Sequence, residues 1–328
     1  VSVSAGRTIR LDAGERSIIV PDAVSRIDNA TVVASTVRLS NIGSERVQAD
    51  LIFTPSGTDG FDAAARRAVI VVPANDVVTI TDPVSQLFQL SRPMSGQIEV
   101  RIPEGRQGTI NVTATTGTPG RATAYDVPVI NRGGGARAGA DHILFGVRRD
   151  ASVSTALVLA ETTGTDPTSV RVTLRNIEGA AMGSTAVELS RYGHRRFDDI
   201  AASLGVTAID GGRLEISVER GGGAVAGVAF TGGSAAVSAP RDPGSAVASL
   251  ALQIKGAPTS GNVTTVVPLL ASANSARPTR TTVGLVAPRG IPTIFAAALR
   301  NAAGSVVATR QIPVNANATL IIRNVFEL

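Results

Sequence analysis

The sequence predicts an all-β protein made of several antiparallel sheets, and three observations carry that prediction. Val, Ala, Ile and Leu dominate the 43% hydrophobic content, while aromatics supply only 3%. Apolar and polar residues alternate with period two in many short runs. Gly- and Pro-containing turns separate those runs at the short intervals that a sheet sandwich requires. β-branched residues suit pleated surfaces, and Gly and Pro suit reversals of the chain. At 328 residues the chain is long enough for two or three domains.

The alternation is clearest in three places. In "SVRVTLRN", Val170, Val172 and Leu174 share one face, with Arg171, Thr173 and Arg175 opposite. In "RLEISVER", Leu214, Ile216 and Val218 alternate with Glu215, Ser217 and Glu219. In "GQIEVRIP", Ile98, Val100 and Ile102 alternate with Glu99 and Arg101. Each run predicts a strand with one buried and one wet face. Two short segments read as helices. "TDPVSQLFQL" (81–90) has an Asp before a first-turn Pro, and "FDDIAASLGV" (197–206) has capping acids at its start and Gly205 as a stop.

These pieces recur in one order. A Val-Pro pair opens each unit, at Val20-Pro21, Val127-Pro128 and Val267-Pro268. A strand, a hairpin and a short helix follow; in the third unit "IIRNVFEL" (321–328) takes the helix position. A last hairpin closes the first two units, and the third stops before it, which reads as a chain cut before further repeats, as a closed variant with fewer strands, or as a unit whose missing strands come from elsewhere. "LRNIEGAAMGS" and "LRNAAGSVVAT", starting at Leu174 and Leu299, are the same hairpin turn in two units. Asn176 or Gly179, and Asn301 or Gly304, can supply its left-handed residue. The division that follows is an N-terminal strand segment 1–17, and units 18–124, 125–243 and 244–328.

This order of "VP", "LRN", "FDDIAASLG", "RLEI" and "GGGAVAGVA" resembles the tandem immunoglobulin-like β-sandwich repeats of exported bacterial proteins from high-GC lineages. Such repeats often follow secreted peptidases or sit in surface proteins. The resemblance covers most of residues 18–328 and rests on turn and core residues. "SAPRDPG" (238–244) is a looser match to the family's second-hairpin ending. It implies one short helix per repeat, an incomplete third repeat, and an extracytoplasmic location in the periplasm, at the cell surface or secreted. The repeat brings no catalytic residue with it.

The remaining composition narrows the function. The absence of cysteine removes disulfides and thiolate chemistry. No apolar run is long enough to span a membrane. The start at Val1 reads as a mature terminus after signal-peptide removal, or an artificial boundary. The net charge of +5 is almost all Arg, with Lys255 the only lysine. Arginine pairs such as Arg66-Arg67, Arg148-Arg149 and Arg195-Arg196 lie near acids and read as solvated faces rather than a nucleic-acid surface.

Candidate chemistry is sparse. His142 and His194 have no metal-ligand spacing between them. Ser190, His194 and Asp198 occur in triad order but without a nucleophile elbow. Asp59 and Asp62 in "SGTDGFDA" are the acids best placed for calcium, although they lack the spaced acidic loop. "NRGGGARAG" and "GGGAVAG" lack the lysine and hydroxyl of a phosphate loop. No cofactor motif appears.

The expectation is a non-enzymatic structural or adhesive protein, a surface or filament subunit or an accessory module of an envelope complex. Its partners would be proteins, including second copies head to tail. Val1, Val3, Ile9 and Leu11 alternate in the N-terminal segment and could complete the third unit around Ile321, Val325 and Phe326 by strand addition. The alternative is a binding module of a secreted enzyme, for protein or for surface polysaccharide. The lack of Trp weakens the sugar version, leaving Tyr125 and Tyr192 as the only tyrosines.

Overall fold

The computed structural model describes residues 3–5, 15–28, 30–106, 109–119, 124–233, 283–287, 291–301 and 303–322. The described fold is all-β, with every described strand pairing antiparallel, so that aspect of the sequence reading holds.

The first unit forms a ten-stranded sheet system. Its strands are β1 (Val3–Ala5), β2 (Arg16–Asp28), β3 (Thr31–Asn41), β4 (Val47–Pro55) and β5 (Arg66–Val72), followed by β6 (Asp76–Thr81), β7 (Met94–Ile102), β8 (Ile110–Gly117), β9 (Ala124–Val127) and β10 (Ile130–Asn131). The order is β1-β5-β4-β7-β2-β3-β8-β9, with β6 on β3 and β10 on β2. β2 turns the corner between two layers. It pairs with β7 first, shifts register between Val20 and Ala23, then pairs with β3 from Ser25 to Asp28. Pro21 sits at that shift, where a residue without an N–H costs no ladder bond. Strand β9, which the sequence division gives to the second unit, pairs with β8 in this system.

The second unit has β11 (His142–Arg149), β12 (Val153–Glu161), β13 (Thr168–Arg175), β14 (Ala181–Leu189), β15 (His194–Phe197), β16 (Ile209–Arg220) and β17 (Val225–Gly233). They form a four-stranded sheet, β11-β16-β13-β14, and a three-stranded sheet, β15-β12-β17. These orders match β2-β7-β4-β5 and β6-β3-β8 strand for strand.

The short helical segments fall where the sequence puts them. A π-helical turn, Pro83–Leu87, follows Asp82, whose carboxylate accepts from the Ser85 amide. Helix α1 (Ile200–Ser203) is capped by Asp199, which accepts from the Ala202 amide, and Gly205 ends it at φ 75°.

The third unit contributes β18 (Val283–Val286), β19 (Thr293–Arg300), β20 (Val306–Val314) and β21 (Thr319–Ile322). Among the described residues β18 pairs only with β21, and β19 only with β20. Ile321 and Ile322 belong to β21, which corrects the helix expected to start there: "TLII" is β-branched and apolar and pairs with β18. The two "LRN" phrases are one structure. Both hairpins shift register after the leucine, at Leu174/Arg175 and Leu299/Arg300, and Gly179 and Gly304 adopt φ 93° and 81°.

Two hydrophobic clusters fill the first two units. One gathers Val37, Leu51, Phe53, Phe88, Ile98 and Val100, but also Ala156, Val158, Val228 and Phe230 from the second unit. The other gathers Leu144, Val172, Leu174, Ile200 and Ile216 with Leu157 and Leu159. Alternate residues of β12 therefore serve two cores. That explains the unbroken apolar run of "ALVLA", since period two needs a wet face and β12 has none.

Candidate functional site at the junctions between units

The most elaborate polar chemistry of the described residues lies where one unit meets the next. The tip of the β4–β5 hairpin, residues 56–61, lies against the turn 190–193 that leads into β15. Gly60 N–H donates to Arg191 O at 2.6 Å, and Ser190 Oγ donates to Thr58 O at 2.7 Å. Arg191 pairs with Asp59 at 3.0 Å and lies 4.4 Å from the Phe61 ring centroid. A Cβ on Gly60 would stand 2.6 Å from the Tyr192 Cβ, so only glycine allows this approach. Behind the tip, β7 reaches over: Gln97 Nε2 donates to the carbonyls of Tyr192 and Glu161.

Buried charge accompanies this junction. Asp22 on β2 is fully enclosed and accepts from Arg196 of β15 at 2.6 Å, with His194 Nε2 at 3.8 Å from its other oxygen. Burial alone would raise the Asp22 carboxyl, but Arg196, with His194 behind it, outweighs burial and holds it down at about 2. Tyr125, packed on Phe230 at 4.6 Å between centroids, is pushed up to about 12, by burial first and the Asp22 charge second. Arg101 and Glu99 pair at 2.9 Å, both buried, and Ser17 Oγ donates to Glu99 at 2.7 Å.

This corrects two expectations. Glu99 and Arg101 do not lie on a wet face, because β7 is covered on both sides. Arg196 is not a solvated member of its pair; its side chain is 7% exposed.

The next junction repeats the pattern. The β13–β14 tip lies against the turn 315–318 leading into β21. Thr319 N–H donates to Ile177 O at 2.8 Å. A Cβ on Gly179 would stand 2.0 Å from Asn317 O and 3.0 Å from the Asn317 Cβ. From β16, the strand equivalent to β7, Arg213 donates to Asn317 O at 2.9 Å and to Thr319 Oγ1 at 2.7 Å. Tyr192 and Asn317, the residues met by the tips, both have left-handed backbone, with φ 52° and 57°. Apolar contact among the described residues here is small: Phe145 lies against Gly284, and Ile321 against Gly211.

The residues singled out from sequence fall as follows. Asp59 is committed to Arg191 and to the Phe61 amide at 2.9 Å; Asp62 lies in the same tip, its amide donating to Asp59 O. No group of three or more potential metal-ligating side chains occurs among the described residues. Val3 pairs with Ala68 of β5 in its own chain. Ile321 pairs with Gly284 in β21–β18. Val1, Ile9, Leu11, Val325 and Phe326 lie outside the described residues.

Ser190 and Asp198 are engaged elsewhere, on Thr58 and Arg196 respectively, and His194 Nε2 lies 3.8 Å from Asp22. Ser190 and His194 line a shallow cavity of about 340 Å³, and Asp198 does not. Tyr125 and Tyr192 are both buried, which removes them as a sugar platform. His142 is buried and its pKa is pushed down to about 4 by that burial. No helix among the described residues is long and apolar enough to cross a membrane.

Sequence reasoning missed Gln97, Arg191, Arg196 and Arg213. One signal was present: Gln97-Ile98-Glu99 and Arg213-Leu214-Glu215 occupy the same place in two units. No protein-family model matches this chain, nor does any curated protein or solved structure.

Proposed function

We propose that this chain is a non-enzymatic structural protein, extracytoplasmic in a bacterium, built from tandem immunoglobulin-like sandwiches and assembling through its third unit. One observation carries the reading. Strand β13 has partners on both edges, β14 and β16, whereas β19, in the same place, pairs only with β20 among the described residues. Its hairpin exposes Ile294 to 66% and Val307 to 57%. An open edge beside exposed apolar side chains favours addition of a further strand.

The sequence offers residues 1–17 of another copy as that strand, in competition with the in-chain pairing of Val3–Ala5 on β5. Sedimentation velocity over a range of concentrations tests this. The full chain is expected to form concentration-dependent oligomers, and a chain lacking residues 1–14 to stay monomeric with unchanged unfolding of its first two units. Identical size distributions for the two would overturn strand donation.

A further inference from the structure

The two internal junctions follow one rule. A hairpin tip presents a glycine, Gly60 or Gly179, to a residue held at positive φ in the turn before the next unit's edge strand, Tyr192 or Asn317. The turns correspond in detail: Gly193 N–H donates to Ser190 O at 2.8 Å, and Ala318 N–H to Asn315 O at 3.0 Å.

Each half of this joint also occurs once more with nothing docked on it among the described residues. The third tip is the β19–β20 turn. It repeats the bonding of the second: Arg175 Nη1 donates to Gly179 O and Arg300 Nη1 to Gly304 O, at 3.0 and 2.8 Å. Asn176 Oδ1 accepts from the Ala180 amide and Asn301 Oδ1 from the Ser305 amide, at 2.8 and 3.0 Å. Yet a Cβ on Gly304 would have nothing within 4 Å. The third receiving turn is residues 73–75, between β5 and β6. Asn75 has φ 52°, and its amide donates to Gly43 O at 3.1 Å just as the Asn317 amide donates to Ala287 O at 2.8 Å. Asn75 is exposed.

We propose that the exposed tip residues Asn301, Ala303, Gly304 and Ser305 of one copy dock on the turn Pro73–Asn75 of a second copy, Gly304 facing Asn75 as Gly179 faces Asn317. The occupant is this chain itself, because the chain carries both exposed halves and twice shows the two halves fitting. The contact is head to tail and pairs unlike surfaces, so copies joined this way form a closed ring or an open filament. It rests on the assembly reading above and is compatible with strand donation, since both join the third unit of one copy to the first unit of the next.

The absence of cysteine makes a clean test. Chains carrying Ala74→Cys and Ala303→Cys are mixed and treated with a short bismaleimide. Ala186→Cys replaces Ala303→Cys in a control, since residue 186 is exposed on β14 away from both junctions. The expected result is a cross-linked dimer several-fold more abundant for the 74/303 mixture than for the 74/186 mixture, and a ladder from the Ala74→Cys/Ala303→Cys double variant. Oligomers in sedimentation with equal cross-linking in both mixtures would overturn the tip-to-turn joint and leave the assembly reading standing. A full chain that stays monomeric at all concentrations would overturn both.

Discussion

The two internal junctions share a plan and differ in what surrounds it. Between the first and second units the tip contact is backed by a hydrophobic cluster that runs from Phe53 to Phe230, and by the buried Asp22–Arg196 pair. Between the second and third units Arg213 bridges to Asn317 and Thr319, and among the described residues little apolar burial accompanies it besides Phe145 on Gly284. Apolar area removed from water contributes roughly 25 cal/mol per Å², whereas hydrogen bonds exchanged with water net about 1 kcal/mol each. The first junction is therefore a fused core, and the second is a latch. Geometry sets how units meet; the apolar side chains behind the tip set whether they can part.

The largest expected break is at the fused side. Asp22→Asn removes the buried counter-charge of Arg196 and leaves it only the exposed Asp198 at 2.8 Å, a loss of about 3 kcal/mol. Urea unfolding followed by intrinsic tyrosine fluorescence should show the lower midpoint. A change below 1 kcal/mol would show that solvent reaches Arg196 and that the pair is not what fuses the units.

Next comes pH. The folded pKa of His142 is about 4, against an ordinary 6.5. The unfolded chain binds the proton first, so the stability contributed is present above 6.5 and is lost as pH falls through 6.5 towards 4. That window is worth about 3 kcal/mol. His142→Leu should flatten the slope of stability against pH across it. Asp22 acts lower: its contribution holds above 3.8 and is lost as pH falls towards 2.

The smallest effect is expected at the latch. Arg213→Met removes the donor to Asn317 O and Thr319 Oγ1, for about 2 kcal/mol. It should speed proteolytic release of the third unit while the unfolding midpoint of the first two stays within error. If that midpoint falls as well, the latch is part of the second unit's core and the contrast between the junctions fails.

Much of the fold was legible because strands announce themselves by alternation. Val170, Val172 and Leu174 are all buried in β13, as their spacing requires. The capping acids Asp82 and Asp199 and the stop Gly205 mark the two helical turns. The junctions were not legible, because nothing local distinguishes an arginine that meets water from one that meets another unit. Arg195 and Arg196 are neighbours with identical chemistry, yet only Arg196 reaches Asp22, 174 residues away in sequence. Likewise Gln97, Glu99 and Arg101 form an ordinary polar face until another unit covers it. Period two reports which face is apolar; it carries no information on whether the polar face is later buried with partners.

Strand β12 has a consequence under mechanical load. Its even and odd residues belong to different cores, so a pull along the chain cannot free the first unit from the second by sliding one surface over another. It must tear a strand out of two packed layers together. The third unit has no such shared strand among the described residues. Stretching should therefore detach it first, at low force, and then meet a single larger barrier in which the first two units yield as one.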